Sequence, residues 1–558
     1  MTALLTDNLP LLAGAPNGIK KLRELILELA VRGKLVSQDP SDEPASELLK
    51  RIAEEKARLV VAGKKGKQQA EINDKEQPFS VPQSWSWVRL GSCLEMINGR
   101  AFKPTEWIAA GLPIVRIQNL NKPDAPFNYC DPDTVDDRHV IDTGTILISW
   151  SGTPGTSFGA FIWERGKAAL NQHIFSCFQV GDAFFDKFLK LAINTRLEEL
   201  IAKAHGGVGL QHVTKGKLEA LTLVLPPLAE QHRIVAKVDE LMALCDRLEA
   251  QQADAESAHA QLVQALLDSL TQASDAEDFA QSWQRLAEHF HTLFTTESSI
   301  DALKQTLLQL AVMGKLVPQD SNDEPADELV GKIAKEIAQL HSEGKIRKPK
   351  PVSPVSTEEA GFESPQGWRW LRLSQITRQL GDGLHGTPIY SQDGAYHFVN
   401  GNNLKDGKIV IKPETKTVSE SEYSKHKKPL DEQSILVSIN GTIGNVAFYN
   451  SEKVVLGKSA CYFNLAGGIS KHFVRLLIEA PGFMEYALKS ATGTTIKNLG
   501  LKAMNDYPIA LPPLAEQHRI VAKVDQLMAL CDQLKTRLTQ ARQLNEQLAS
   551  TLVEQAVA

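Results

Sequence analysis

Apolar residues in two long stretches of the chain recur at alternating steps of four and three. Ile234, Val238, Leu241, Cys245 and Leu248 form one such stripe, the a/d spacing of a coiled-coil seam. Ala255, Leu262, Leu266 and Leu270 carry its phase onward. Ile520, Val524, Leu527, Cys531, Leu534, Leu538, Ala541, Leu548 and Leu552 repeat the pattern near the end. Pro226-Pro227 and Pro512-Pro513 stand just before each stripe, where proline can precede a first helical turn but not sit inside a helix. The spacing predicts a helix from about 228 to 270, roughly 60 Å long at 1.5 Å per residue. Cys245 and Cys531 lie on the stripe and read as small core residues. Elsewhere the apolar runs are shorter. Thr145–Trp150 and Ser434–Ile439 predict strands ending in glycine-rich turns. Phe185–Leu200, Lys471–Glu479 and Phe483–Lys489 predict helices, the last two separated by Pro481-Gly482.

The two stripes belong to a tandem repeat. LPPLAEQHRIVAKVDELMALCDRL at 225–248 returns at 511–534 with two of 24 positions changed. ELAVRGKLVSQDPSDEPASELLKRIA at 28–53 is echoed at 309–334. Phe79, Pro82, Trp85, Trp87, Arg89 and Leu90 are matched by Phe362, Pro365, Trp368, Trp370, Arg372 and Leu373. The offsets of 286, 281 and 283 describe one unit of about 285 residues present twice. Each copy has a helical lead-in, a charged linker that reads as exposed and mobile, a globular middle and a closing helix. The expected divisions are 1–78 (helical lead-in and linker), 79–224 (first globular domain), 225–299 (central spacer helix), 300–361 (second lead-in and linker), 362–510 (second globular domain) and 511–558 (C-terminal spacer helix). The middles, about 89–224 and 369–510, hardly resemble each other. Shared flanks around divergent middles suggest a common frame for two different working modules. The fold class is α+β: two α/β domains in pseudo-two-fold tandem repeat, joined by long helices.

Composition changes this picture little. The chain has 558 residues, 42% apolar and 23% charged, which is globular rather than disordered. The apolar runs fall short of the ~18 residues of a membrane span, and the N-terminus lacks a basic signal region. Six cysteines without Cys-x-x-Cys or Cys/His clustering fit a reducing cytosol and argue against zinc. The net charge of −6 at first points away from nucleic acid. Its distribution does not. Residues 89–224 carry 14 basic and 14 acidic side chains and residues 369–510 carry 17 and 12, leaving −11 for the frame and linkers.

Catalytic motifs are missing. The chain contains no phosphate-cradling P-loop, G-x-S-x-G elbow or H-E-x-x-H pair. Its Pro-Pro pairs stand between leucines, not in the Asn/Asp-Pro-Pro-Tyr/Phe site of an amino-methyltransferase. His232 and His518, repeated beside Glu-Gln, read as capping or packing groups. The sequon at Asn440 has no meaning without secretion. What remains is a set of glycine-flanked polar loops suited to phosphates and base edges. In the first copy these hold Arg100, Lys103, Ser149, Ser151, Gly206, Gly207, Gln211, His212, Lys215 and Lys217. In the second they hold Asn440, Thr442, Thr494, Thr495, Lys497, Asn498 and Lys502. Singly, each reads as an ordinary polar turn at a strand end; the recurrence of such loops at corresponding positions of both copies brings the DNA-binding reading level with that one.

Two divergent modules, each opened by W-x-W and closed by Pro-Pro-Leu-Ala-Glu-Gln-His-Arg-Ile-Val (226–235 and 512–521) and a long helix, resemble the specificity subunit of type I restriction–modification systems. The resemblance covers nearly the whole chain. It implies two target recognition domains, each reading one half of a split, asymmetric double-stranded DNA site. It implies helices paired as an antiparallel coiled coil that sets the unread spacer, and no catalytic activity in the chain itself. Two methyltransferase subunits would dock on the frame with S-adenosylmethionine and methylate adenine, and motor–nuclease subunits would use ATP and magnesium. This chain would bind none of those cofactors, and its place would be the cytoplasm. The alternative from a different class is a coiled-coil scaffold binding two protein partners without reading DNA. A third reading is a solitary nuclease with dispersed catalytic residues.

Overall fold

In a computed structural model the chain forms two units by internal contacts, Met1–Asp254 with Ala541–Ala558, and Ala255–Gln540. Residues 9–61, 72–122, 124–150, 158–204, 214–274, 276–493 and 497–557 are described.

In the first unit the strands are β1 (Ser86–Arg89), β2 (Leu94–Asn98), β3 (Leu112–Val115), β4 (Asn128–Cys130), β5 (Val140–Ile141), β6 (Ile146–Ser149), β7 (Gly159–Ile162), β8 (Ala168–Leu170), β9 (Ile174–Gln179) and β10 (Thr222–Leu225). The main sheet has the order β2-β9-β6-β7 and is antiparallel throughout. A second sheet, β4-β3-β8-β5, contains the parallel pair β3 and β8. All four residues of β6 are buried, so the predicted run TILISW is apolar without alternation because both of its faces are covered. The helix predicted from Phe185 runs Asp186–Ala204, with Asp186 in the positive first turn.

The second unit contains β11 (Arg369–Arg372), β12 (Thr377–Asp382), β13 (Tyr390–Ser391), β14 (Tyr396–Val399), β15 (Leu404–Lys405), β16 (Lys408–Ile409), β17 (Thr417–Val418), β18 (Ser434–Ser438), β19 (Val446–Phe448), β20 (Val454–Leu456), β21 (Ala460–Leu465) and β22 (Pro508–Leu511). Its main sheet is β12-β21-β18-β19, and its second sheet pairs β14 with β20 in parallel. β1 pairs with β10 and β11 with β22, closing each module onto its frame. The middles, unlike in sequence, therefore share the topology of their main sheets. A trace survives in sequence. Gly99 and Val115 are spaced as Gly383 and Val399 are, and buried Asn119 and Asn403 follow four residues after the valines. Each asparagine accepts the N–H three residues earlier, from Arg116 or Asn400, and donates to a downstream carbonyl of Ala125 or Val410.

The two helices expected around Pro481 form, Lys471–Glu479 and Pro481–Ser490, with the break at Ala480. Pro481 itself belongs to the second helix, two residues earlier than expected, because proline's missing N–H costs nothing in a first turn. Ser470 caps the helix Lys471–Glu479 by accepting from Phe473 N–H.

The central helix runs Leu228–Thr271 and the C-terminal helix Leu514–Val557, 44 residues each. Beyond Thr271 separate helices form at Ala276–Glu288, Phe290–Leu293 and Glu297–Val312. In the first unit the central helix's Leu241, Cys245 and Leu248 share a core with Ala549, Leu552 and Ala556. In the second unit its Val263, Leu267 and Leu270 share a core with Leu527, Cys531, Leu534 and Leu538. Early residues of one helix thus meet late residues of the other, and the pairing is antiparallel. The seam residues Ile234, Val238, Ile520 and Val524 are buried, as is Leu270 farther along. Other outer positions are not. Leu262 and Leu548 are 54% and 44% exposed, and Ala255 and Ala541 also face solvent. The buried positions are Val263 and Ala549, one residue later, because a 3.6-residue helix drifts from a strict 3.5-residue stripe.

The repeated flanks interlock. Glu230 is buried and accepts from Trp85 Nε1 at 2.9 Å and Gln38 Nε2 at 2.6 Å. Glu516 accepts from Trp368 Nε1 at 3.0 Å and Gln319 Nε2 at 2.6 Å. Gln231 accepts from Phe185 N–H and Gln517 from Ser470 N–H, tying the helix start to the module. Arg233 pairs with Asp42 and Arg519 with Asp323, each with a shortest distance of 2.6 Å. His232 stacks on Phe185 at 4.0 Å, the packing role expected of it. Gly33 and Gly314 sit at φ +70° and +74°, and a Cβ there would come within 2.6 and 2.5 Å of Pro82 and Pro365. Parts of the linkers are bonded to the modules. Arg372 donates to the Ser353 and Pro354 carbonyls and forks onto Glu359, as Arg89 does onto Glu76.

Candidate nucleic-acid interface

At one end of each main sheet the same backbone hydrogen bonds gather three loops. In the first module Gly99 N–H donates to Ile174 O, Arg100 N–H to Leu170 O, and Asn171 N–H to Val115 O. In the second, Gly383 donates to Ala460 O, Leu384 to Leu456 O, and Gly457 to Val399 O. The residues after β6 and β18 join them, with Trp150 N–H donating to His173 O and Ile439 N–H to Ser459 O. Each set converges on a two-residue turn, 172–173 or 458–459, where the chain passes from the second sheet into the main sheet.

The side chains on these matched scaffolds differ. Trp150 packs edge-on to His173 at 5.1 Å and donates to Asn98 from Nε1 at 3.3 Å. In the second module Ser459 Oγ instead donates to Asn400 Oδ1 at 3.0 Å and accepts Gly401 N–H at 2.9 Å. The second module adds a further loop. Asn440 and Asn498 form an antiparallel bridge, Gly441 N–H donates to Lys497 O, and Leu499 N–H to Ile439 O. Four expected site residues, Asn440, Thr442, Lys497 and Asn498, are therefore brought together although about 55 residues separate the two loops. Thr442 and Lys497 are exposed, and Lys502 is exposed on the neighbouring short helix Leu501–Asp506.

The first module corrects three expectations. Arg100 lies over the Phe102 ring at 4.0 Å and pairs with Glu106 at 2.7 Å, so it braces its own loop. Ser149 is fully buried, as is Ser438 in the matching strand. Lys215 donates to the Met96 carbonyl at 2.7 Å and lies 3.7 Å from Glu219. Lys103 and Lys217 remain exposed. Ser151, Gly206, Gly207, Gln211, His212, Thr494 and Thr495 lie outside the described residues. Burial, with two arginines nearby, Arg138 first, keeps the His139 imidazole below its ordinary value. Among the described residues no cluster of His, Cys, Asp and Glu could hold a metal ion.

A family model described as the type I restriction modification DNA specificity domain matches residues 82–256 and 385–542, one stretch per module. The chain belongs to the specificity subunits of type I restriction–modification systems. It is 37% identical to the EcoAI specificity subunit of Escherichia coli over 97% of this chain and 94% of that one. It is 36% identical to the EcoEI specificity subunit of Escherichia coli over the same shares. A solved chain from a study of assembly and conformational transition in a type I system is 18% identical, with a TM-score of 0.48, over 86% of this chain and 99% of that one. As a specificity subunit the protein is the DNA-recognition component of a type I complex, docks other subunits and is not itself catalytic. Such systems involve DNA together with methyltransferase and nuclease subunits. No helix among the described residues is long and apolar enough to cross a membrane.

Proposed function

We propose that the domains spanning 79–224 and 362–510 each read one half of a bipartite, asymmetric DNA site. The paired helices hold the halves apart by a fixed unread spacer and carry two methyltransferase subunits, which motor–nuclease subunits join. The observation supporting this reading is the pair of loop-bearing scaffolds with matched backbone bonds and different exposed side chains. In the second module Asn440, Thr442, Lys497, Asn498 and Lys502 would face DNA; in the first, Lys103 and Lys217 would do so. Amides suit adenine edges and lysines suit guanine or phosphate. The six cysteines are all free and buried, as a reducing cytoplasm would keep them. Burial pushes the Cys93 thiol up to about 12.

The complex with its methyltransferase subunits should bind its bipartite duplex far more tightly than a scrambled duplex at the same stated salt concentration. Equal affinity for the two would reject DNA reading. One heptad inserted after Leu248 should lengthen the spacer or abolish assembly, and an unchanged spacer would reject the ruler role.

A further inference from the structure

We propose that the two-residue turns at 172–173 and 458–459 carry specificity-determining residues, Gln172 in the first module and Lys458 in the second. The inference rests on the reading of both modules as DNA readers. These positions were not singled out by glycine or repeat patterns, because the turns NQH and GKS share no residue.

The turn is an exposed point of each scaffold held by backbone bonds on both sides. It follows β8 or β20 after a single residue and leads directly into β9 or β21. The residue before it donates its N–H to the end of β3 or β14, at Val115 or Val399. Its second residue accepts from Trp150 or Ile439 N–H, and the next residue accepts from Gly99 or Gly383 N–H. Added side-chain bulk on the supporting glycines is excluded, since a Cβ on Gly99 or Gly383 would come within 2.2 Å of the Asn171 or Gly457 carbonyl oxygen. Three elements therefore clamp the same backbone in both modules, and a side chain there is held in register with whatever the module faces.

Only the side chain differs. Gln172 and Lys458 are both exposed. Gln172 Nε2 lies 3.2 Å from His173 Nε2, leaving its carbonyl oxygen free among the described residues. No hydrogen bond or ion pair among the described residues engages the Lys458 ammonium. Glutamine pairs two-fold with the major-groove edge of adenine, and lysine donates to guanine O6 and N7. A constant mount with a changed reading head is the arrangement two unlike half-sites require. Gln172 would select an A·T pair in one half-site, and Lys458 a G·C pair in the other.

The test uses the complex of the full chain with its methyltransferase subunits and S-adenosylmethionine. Wild type, Lys458→Gln and Gln172→Lys are each incubated with unmethylated genomic DNA, and methylated adenines are mapped. The exposed substitutions should leave thermal unfolding unchanged. Lys458→Gln should alter the preferred base at a single position of one half-site by about tenfold or more, and Gln172→Lys at a single position of the other. Each leaves the opposite half and the spacer as they were. An unchanged motif in both variants would overturn the inference, and so would a uniform loss across all sequences, the mark of a phosphate contact. A wild-type complex that methylates without any motif would instead reject DNA reading by the modules.

Discussion

The junctions between modules and helices repeat the same side-chain hydrogen bonds in the two units, whereas the loop ends of the modules repeat only backbone ones. At the junction Glu230 and Glu516 each accept from one tryptophan and one glutamine, with distances agreeing within 0.1 Å. At the loop ends Trp150 and His173 occupy the places of Ile439 and Ser459. A buried carboxylate with two donors has a single good geometry, and losing either donor leaves a polar group unsatisfied. An exposed side chain on a clamped turn has no such restriction. The repeat is therefore retained where bonding is buried and polar, and is free to diverge where side chains face solvent.

The junction half of this comparison is broken most severely by truncating its acid. Glu516→Ala leaves Trp368 Nε1 and Gln319 without their acceptor and should cost on the order of 3 kcal/mol, read as a lowered thermal midpoint. Glu230→Ala should cost the same. Unequal losses would show that the two junctions are not equivalent. Glu516→Gln keeps an acceptor and should lose much less.

Next in size is the glycine under each tryptophan. Gly314→Ala combines a left-handed φ of +74° with a Cβ 2.5 Å from Pro365, and should cost about 2–3 kcal/mol. Gly344, at φ +71° with nothing within 4 Å, isolates the backbone contribution of about 1 kcal/mol. Equal midpoints for the two alanine variants would remove the packing argument.

Acid separates two kinds of carboxylate in the frame. The Arg372 fork, with the Ser356 backbone, holds the Glu359 carboxyl down at about 2. Its stabilising effect is present above the ordinary glutamate value of about 4.5 and is lost as pH falls from there towards 2. Burial pushes Glu516 the other way, opposed by its bonds to Trp368 and Gln319. Its contribution weakens as pH rises from about 4.5 through the raised value. In thermal scans against pH, Glu359→Gln should flatten the acid limb between about 4.5 and 2. Glu516→Gln should gain relative to wild type above about 4.5. The same profile for both variants would contradict the assignment.

The smallest effects belong to exposed lysines. Lys217→Ala and Lys502→Ala should each weaken DNA binding for every sequence alike and lower the salt slope by about one. A change confined to one base position would place them among the readers.

Much of the frame was legible in sequence because its chemistry is periodic or repeated. The stripe from Ile234 to Leu248 and the Pro-Pro breaks located helices that begin at Leu228 and Leu514. The same stripe misplaced its far end at Leu262 and Leu548, since helical drift accumulates with distance. Glu230, Gln231 and Asp42 were visible as repeated letters, but nothing local indicates that they meet one another's partners across the fold. The kinship of the modules was hidden because a sheet needs only apolar residues at given places, and TILISW and SILVSI meet that need with different side chains. Its remaining traces are Gly99 and Gly383, Asn119 and Asn403, positions where backbone geometry admits little else. Of the candidate contacts chosen as polar residues near glycine, Asn440 and Asn498 lie where two loops bridge, whereas the charges of Arg100 and Lys215 are engaged within the module.

The most direct test concerns two independent readers on one scaffold. In a chain whose residues 90–221 are replaced by a second copy of 373–507, β1 with β10 provides the same closing pair as β11 with β22. Methylated adenines are then mapped for the complex of this chain with its methyltransferase subunits. The account predicts a symmetric motif in which the second module's half-site appears on both sides of the wild-type spacer. A folded, DNA-methylating complex that keeps the original asymmetric motif would contradict it.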